Sequence, residues 1–308
     1  MQEYDVRHDT TYHYDSPVLL SQQIAHLRPR EVAHQQCLSH TLAIEPPASV
    51  QRERRDFFGN PVTAFAVYSP HDRLRVRARN RIRVDPRCWP EAAGSLAWEA
   101  ARDHLRDGLS GHAPLQDDAR DAGQYRFGSP FVPLGEASAT YADYALQCFT
   151  PGRPLVEALL ALSARIHADF SFDPEATSVA TPVAQVFAER RGVCQDFSHL
   201  MIACLRALGL AARYVSGYLL TAPPPGQPRL IGADASHAWV AVWCPGLGWV
   251  EVDPTNDLQP GSGHITLAWG RDYGDVSPLR GVILGGGGHK VEVAVTVMPL
   301  EEGEHAPL

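Results

Sequence analysis

Three residues in the last 120 or so positions have the types and order that nucleophilic acyl chemistry needs: Cys194, His237 and Asp253. A thiol attacks a carbonyl only as the thiolate. The unpaired backbone N–H groups and macrodipole of a helix N-terminus favour that form. Cys194 opens the segment CQDFSHLMIACLRALGL, in which Phe197, Leu200, Met201, Cys204, Leu205 and Leu208 share one broad apolar face that stops at Gly209. That spacing predicts a buried helix beginning at the thiol. Gly192 permits a tight approach from the preceding segment. Asp196 in the first turn suits the dipole but opposes thiolate formation, so a cationic partner is wanted. His237 supplies one, because a Cys–His pair lowers a thiol pKa and also provides a proton for a leaving amine.

The third residue follows from hairpin arithmetic. HAWVAVW and WVEVD read as strands joined by the turn CPGLG. Pairing Trp243 with Trp249 sets Trp239 opposite Asp253 and leaves Asp253 diagonal to His237 on the same sheet face. A carboxylate there fixes the imidazole tautomer and stabilises the imidazolium. Taken singly, a cysteine at a helix start is usually a small buried hydrophobe, and a histidine at a strand start a surface or hydrogen-bonded residue. Their combination in this chain order within one compact stretch carries the assignment.

Around these three, the oxyanion donors are expected to be the Cys194 backbone N–H and a second group, with Gln185, Gln195 and Trp239 as candidates. Asp234, Ser236 and Tyr218, together with Gln195 and Trp239, are expected to line the cleft and bind substrate, although Asp and Ser at those positions equally suit loop and hairpin capping. His199 reads as a packing or surface histidine. A metal site built from Cys194, His199 and Cys204 fails on spacing, since structural zinc pairs lie roughly two to four residues apart. No metal and no cofactor is expected.

The elements that must position these residues fall into four stretches. Residues 1–85 read as an antiparallel β-rich domain, with strands in YHYDSPVLLSQQ, TLAIEP, NPVTAFAVYS and LRVRARNRIRV. In the last of these Arg73, Arg75, Arg77, Arg79, Arg81 and Arg83 alternate along one face. That face reads as a solvated surface partnered by Asp and Glu rather than an anion-binding stripe. Residues 86–150, rich in Pro and Gly, read as a bridging segment with short helices. Residues 151–275 form the core: helices in RPLVEALLALSARIHADF and TPVAQVFAERRG, the helix at Cys194, then the strands ARYVSGYLL, HAWVAVW and WVEVD. A proline-rich loop from Ala222 to Pro228 is positioned to form one lip of the cleft. Residues 276–308 hold a C-terminal strand, KVEVAVTVMPL, behind the turn Gly285 to Gly288; no lysine and helix follow those glycines, as a phosphate-binding loop would require.

Bulk properties exclude several function classes. The formal charge of −8 argues against a nucleic-acid partner, which needs clustered positive charge. No stretch offers the roughly 20 apolar residues of a membrane span, and the opening MQEYDVRHDTTYHYDS lacks a basic region followed by an apolar run. No membrane partner and a cytoplasmic location are therefore expected. The six cysteines are scattered without the spacing of a disulfide framework, so reduced thiols are the default.

RRGVCQDFSHLMIACLRALGLAARYVSGYL and then DASHAWVAVWCPGLGWVEVDPTND closely resemble the core of the bacterial transglutaminase-like superfamily. YDVRHDTTYHYDSPVLLSQQIAHLRPR with DFFGNPV resembles the β-rich N-terminal region that accompanies this core in one bacterial branch, and GRDYGDVSPLRGVILGGG is like that branch's tail. The resemblance implies an α+β fold, a papain-like transglutaminase core of helices packed on an antiparallel sheet with an N-terminal β-rich domain. It also implies that Cys194 attacks an amide, releases ammonia or an amine, and passes the thioester to water or a second amine. On the same family basis, Arg271, Asp272 and Tyr273 support the site from the tail. Animal transglutaminases place an indole donor shortly before the nucleophile; no Trp stands there, and nothing resembles their acidic calcium loops. The expectation is a cysteine-dependent amide or peptide hydrolase acting on a peptide or protein. The alternatives are a protein-glutamine transglutaminase or deamidase, and a non-catalytic peptide-binding scaffold. Oligomeric state is not indicated.

Overall fold

The computed structural model describes residues 1–109, 117–221 and 236–300. Its first layer is a strongly bent antiparallel sheet built on one long strand, β1 (Gln2–Ala25). The strands β4 (Pro61–Val67) and β5 (His71–Val84) follow one another along one side of β1, with β3 (Val50–Arg55) added to β4 and β2 (Gln35–Glu45) to β5. The other side of β1 is covered by β12 (Leu279–Gly285) and β13 (His289–Leu300), which run past it as one broken strand. The C-terminal segment is therefore part of the N-terminal sheet rather than a separate appendage. The arginine face of β5 is a ladder neutralised by its own neighbours: Arg75 reaches Asp9, Arg79 reaches Asp5 at 2.8 Å, and Arg81 and Arg83 share Glu3 at 2.7 and 2.9 Å.

Residues 86–150 contain α1 (Trp98–Leu109), α2 (Asp117–Gly123) and α3 (Ser138–Leu146). They do not act as a spacer. Trp98, Tyr141, Tyr144 and Phe149 belong to the same buried cluster as Phe197, Leu200 and Met201. The chain continues with α4 (Leu155–Asp169), β6 (Ser171–Phe172), α5 (Val183–Glu189), β7 (Arg191–Gly192) and α6 (Cys194–Ala207). Pro154 and Pro182 precede α4 and α5, where a fixed φ and a missing N–H cost nothing. The helix α5 ends at Arg190, in the left-handed conformation at φ 56°, before Gly192 is reached. The helix α6 is buried on nearly every face, a wider burial than one apolar stripe implies, because α3 and α5 on one side and the second sheet on the other enclose it. Its Arg206 is buried but satisfied, donating to the carbonyls of Tyr125, Ala212 and Arg271.

The second sheet has the order β10 (Gly248–Val252), β9 (Ser236–Cys244), β8 (Ala212–Leu219), β11 (His264–Gly270), all antiparallel. The strand β11 lies beyond the three core strands read from the sequence, and a short helix, α7 (Tyr273–Val276), follows it. As an edge strand, β11 would leave backbone groups unpaired. Two side-chain amides from the first sheet's side cap them. Gln35 accepts from the Thr266 N–H and donates to the Thr266 carbonyl, both at 2.8 Å, and Asn60 does the same for Trp269 at 2.9 and 2.8 Å. These clasps fix the N-terminal sheet against the second sheet. Among the described residues no helix is long and apolar enough to cross a membrane.

Candidate active site

Cys194 is the first residue of α6, directly after the extended Val193. The short parallel pairing of Phe172 with Gly192 sets the angle of entry. Asp196 ties the turn by accepting from the Val193 N–H at 2.8 Å and the Thr177 hydroxyl at 2.6 Å. A Cβ on Gly192 would lie 2.7 Å from that carboxylate oxygen, so this position admits no side chain. The backbone N–H groups of the first turn, Cys194's included, have no acceptor inside the helix.

His237, in the first turn of the ladder of β9, donates from Nε2 to Oδ2 of Asp253 at 2.7 Å. That leaves Nδ1 free, and Cys194, which lines the same cavity, is near enough to raise the ring's pKa. Burial alone would discharge the imidazole. The interactions with Asp253 and Cys194 outweigh it and push His237 up to about 10. The register that makes this possible is Trp243 with Trp249 through Val240 with Val252, so Asp253 continues on the His237 face.

Asp253 is fully buried. Its Oδ1 accepts from the backbone N–H groups of Thr255 and Asn256, and its Oδ2 from His237, from Asn256 Nδ2 at 2.8 Å and from His264 Nε2 at 3.1 Å. Burial opposes the charge, but the hydrogen bonds from His237, His264 and Asn256 win and hold the carboxyl well below its usual range. His264 accepts the Gly261 N–H at Nδ1, so its proton sits on Nε2 and its ring is the neutral donor; burial lowers its pKa in spite of Asp253. The Nε2 atoms of His237 and His264 and the Asp253 carboxylate lie within 4.8 Å of one another. They could in principle hold a metal ion, but the Gly261 bond places a proton where a metal would need His264's lone pair.

A cavity of about 500 Å³ opens in front of Cys194. Cys194, Gln195, Tyr214, Ser236 and His237 form one wall, and β1 and β13 supply the other with His8, Thr10, Tyr12, Val291 and Val293. Gln195 and Ser236 are thus in the cleft as the sequence suggests. Trp239 is not: it is fully buried and its indole N–H is occupied by Glu251 at 2.7 Å, itself paired with the buried Arg87. Tyr218 is likewise buried one layer back, bonded to His8 Nδ1 at 3.0 Å. Gln185 is exposed and donates to Glu189. Asp234 and the loop from Ala222 to Pro228 lie outside the described residues. Of the tail residues, Tyr273 lines the cavity, Asp272 caps α7 by accepting the Gly274 N–H, and Arg271 pairs with Asp275 at 2.9 Å. His199 is buried under them, accepting the Tyr273 N–H at 3.1 Å.

Sequence reasoning missed His264, Asn256, Tyr214 and the β1 and β13 wall. The alternation Ile265, Leu267, Trp269 in HITLAWG was the available signal for β11.

Residues 4–84 match the bacterial transglutaminase-like N-terminal region, and residues 142–254 match the transglutaminase-like superfamily core. An uncharacterized protein of Mycobacterium tuberculosis, Rv2569c, is 40% identical over 306 residues, covering 97% of this chain and 93% of that protein. The chain belongs to the transglutaminase-like superfamily. A second member of this superfamily's mycobacterial group of relatives, the uncharacterized protein ML0607 of Mycobacterium leprae, is 30% identical over 303 residues, 96% of this chain and 98% of that one. A protein-glutamine gamma-glutamyltransferase of Pseudomonas aeruginosa is similar over a shorter span, 34% identical over 120 residues, 39% of this chain and 18% of that protein. Among solved structures, a Cytophaga hutchinsonii protein provisionally named a cysteine protease superposes with a TM-score of 0.73 at 20% identity, covering 99% of this chain and 93% of that one. The transglutaminase-like fold, helices on an antiparallel sheet with a strand-rich N-terminal region, thus extends along the whole chain.

Proposed function

We propose that this protein is a cysteine hydrolase of amide or peptide bonds that works through a thioester on Cys194. The observation that supports the reading is the position of His237, which shares the cavity with Cys194, is electrostatically coupled to it, and donates to the buried Asp253 at 2.7 Å. In this scheme the Cys194 sulfur attacks the amide carbonyl carbon, and the oxyanion is met by the Cys194 N–H. His237 gives its proton to the departing nitrogen as the C–N bond breaks. Water, deprotonated by His237, then attacks the thioester carbon, releasing a carboxylic acid and returning the thiol.

The second oxyanion donor is assigned to Tyr214. Its side chain lines the cavity, and burial followed by the nearby charge of Cys194 keeps its phenol protonated. Hydrolysis is preferred over amine transfer because no Trp stands shortly before Cys194 and the Trp239 indole N–H is occupied by Glu251, and the substrate is taken to be a peptide or protein in the cytoplasm. The similarity to the gamma-glutamyltransferase favours the second reading, transfer to an amine.

Turnover of glutamine and peptide amides by wild type against Cys194→Ala tests the enzyme claim, since equal rates would refute it. Mass analysis of the products with and without a primary amine tests the acceptor. Free acid as the main product supports hydrolysis, and amine incorporation overturns it.

A further inference from the structure

On the opposite end of the second sheet from His237, a separate cavity of about 520 Å³ is bounded by Arg30, Phe58, Tyr125, Arg213, Trp249 and Trp269. Its organising feature is a stack of cations and indoles. The Arg213 guanidinium carbon lies 4.0 Å from the Trp249 ring centre and 3.7 Å from that of Trp269. Arg30 lies 3.5 Å from the same Trp269 ring. Two guanidinium groups this close to one ring centre cannot share a face, so the order is Arg30, Trp269, Arg213, Trp249.

Arg30 is anchored through Nη1, which donates to the Phe58 carbonyl and to Asn60 Oδ1, although its own Nε is buried without an acceptor. Arg213 has no such anchor. It is only 6% exposed, its Nε is buried with no acceptor, and no hydrogen bond or ion pair to it exists among the described residues. Glu251 lies near enough to favour the charge but makes no ion pair with Arg213, being held by Arg87 and Trp239, and cation–π contacts do not supply the hydrogen-bond acceptor that the buried Nε lacks. Two indole rings thus lie against the guanidinium, and the group also lines the cavity. An edge of the guanidinium presented to the cavity has the geometry of bidentate carboxylate recognition.

We propose that this cavity is a binding site for a small molecule bearing one carboxylate on an aromatic or apolar body. The carboxylate would lie in the plane of Arg213, and the body would rest against Phe58 and Tyr125. One negative charge is favoured over two, because Arg30 is already occupied and Asp121 stands at the rim. The cavity shares no lining residue with the one at Cys194, so the site does not depend on the reaction assigned there.

The test uses the full chain with benzoate as probe, benzamide as the neutral isostere and inorganic phosphate as the alternative anion, read by tryptophan fluorescence and thermal shift. Benzoate is expected to perturb the fluorescence saturably and raise the melting temperature, with benzamide at least tenfold weaker. Arg213→Met should abolish the response, and Arg213→Lys, which keeps the charge and loses the fork, should weaken it at least tenfold. Should the Met variant not fold, the Lys variant decides. No response to benzoate at millimolar concentration, an equal response in the Lys variant, or a preference for phosphate would each overturn the proposal.

Discussion

His237 and His264 share the same oxygen of Asp253, from Nε2 at 2.7 and 3.1 Å, yet their surroundings push the two rings in opposite directions. His237 is raised and His264 lowered, although both are buried and both bond the same carboxylate. What separates them is the second neighbour: the Cys194 thiol for His237, and for His264 the positive charges of His237 and Arg87. His264 therefore holds Asp253 in place without competing for its charge.

The first prediction concerns that hold. His264→Ala should lower kcat by about 10- to 100-fold, in the range of lost orienting partners, with KM little changed. His264→Gln, which keeps an N–H donor, should recover part of the loss. Steady-state kinetics on an amide substrate distinguishes this from a purely structural role, in which both variants would lose activity in step with folded fraction.

A second prediction follows from the His237 pKa. Protonated His237 is the acid in the acylation step, so kcat/KM should fall on the alkaline side near pH 10, where the ring loses its proton. Asp253→Asn removes the largest favourable contribution and should move that limb down. A pH–rate profile of both proteins checks the direction, and an unmoved limb would contradict the assignment.

Stability should carry the same signature with a definite sign. His237 is raised above its unfolded value of about 6.5, so its contribution is complete below that pH and is lost as pH rises towards about 10. Asp253 is depressed, so its contribution is present above the ordinary carboxylate range and is lost only as pH falls through its lower folded value. Urea midpoints measured between pH 6 and 10 should decline more steeply in wild type than in His237→Ala.

How far the site could be read from residues alone depended on whether its signal was local. The nucleophile helix, the hairpin register joining Trp243 to Trp249, and the diagonal between His237 and Asp253 all lie within one short stretch and obey fixed periodicities, and the structure places them so. Trp239 was misjudged because a strand position shows which face a side chain takes but not what lies beneath it; here Glu251 and Arg87 fill that space. The return of β12 and β13 along β1 joins residues nearly 300 positions apart. No local pattern encodes such a pairing, so the cleft wall of Tyr12, Val291 and Val293 emerged only in three dimensions.

Gly217 tests the packing that underlies the site. A Cβ there would stand 2.1 Å from the Ile265 carbonyl oxygen and 2.5 Å from the Trp239 ring, which crosses β8 at this residue to meet His264 edge-on at 5.3 Å. Gly217→Ala should destabilise by about 3 kcal/mol, the upper end for overpacking, measurable by urea unfolding. A change under about 0.5 kcal/mol, the scale of a neutral surface substitution, would show that the ring is not fixed there.

The central claim is that Cys194 carries the acyl group and water removes it. Rapid quenching of the enzyme with an amide substrate in oxygen-18 water, followed by mass analysis, reads both steps at once. The account predicts an acyl adduct on Cys194 that is absent from Cys194→Ala, and heavy oxygen in the released acid. Turnover with no adduct at Cys194, or product formed equally by Cys194→Ala, would contradict it.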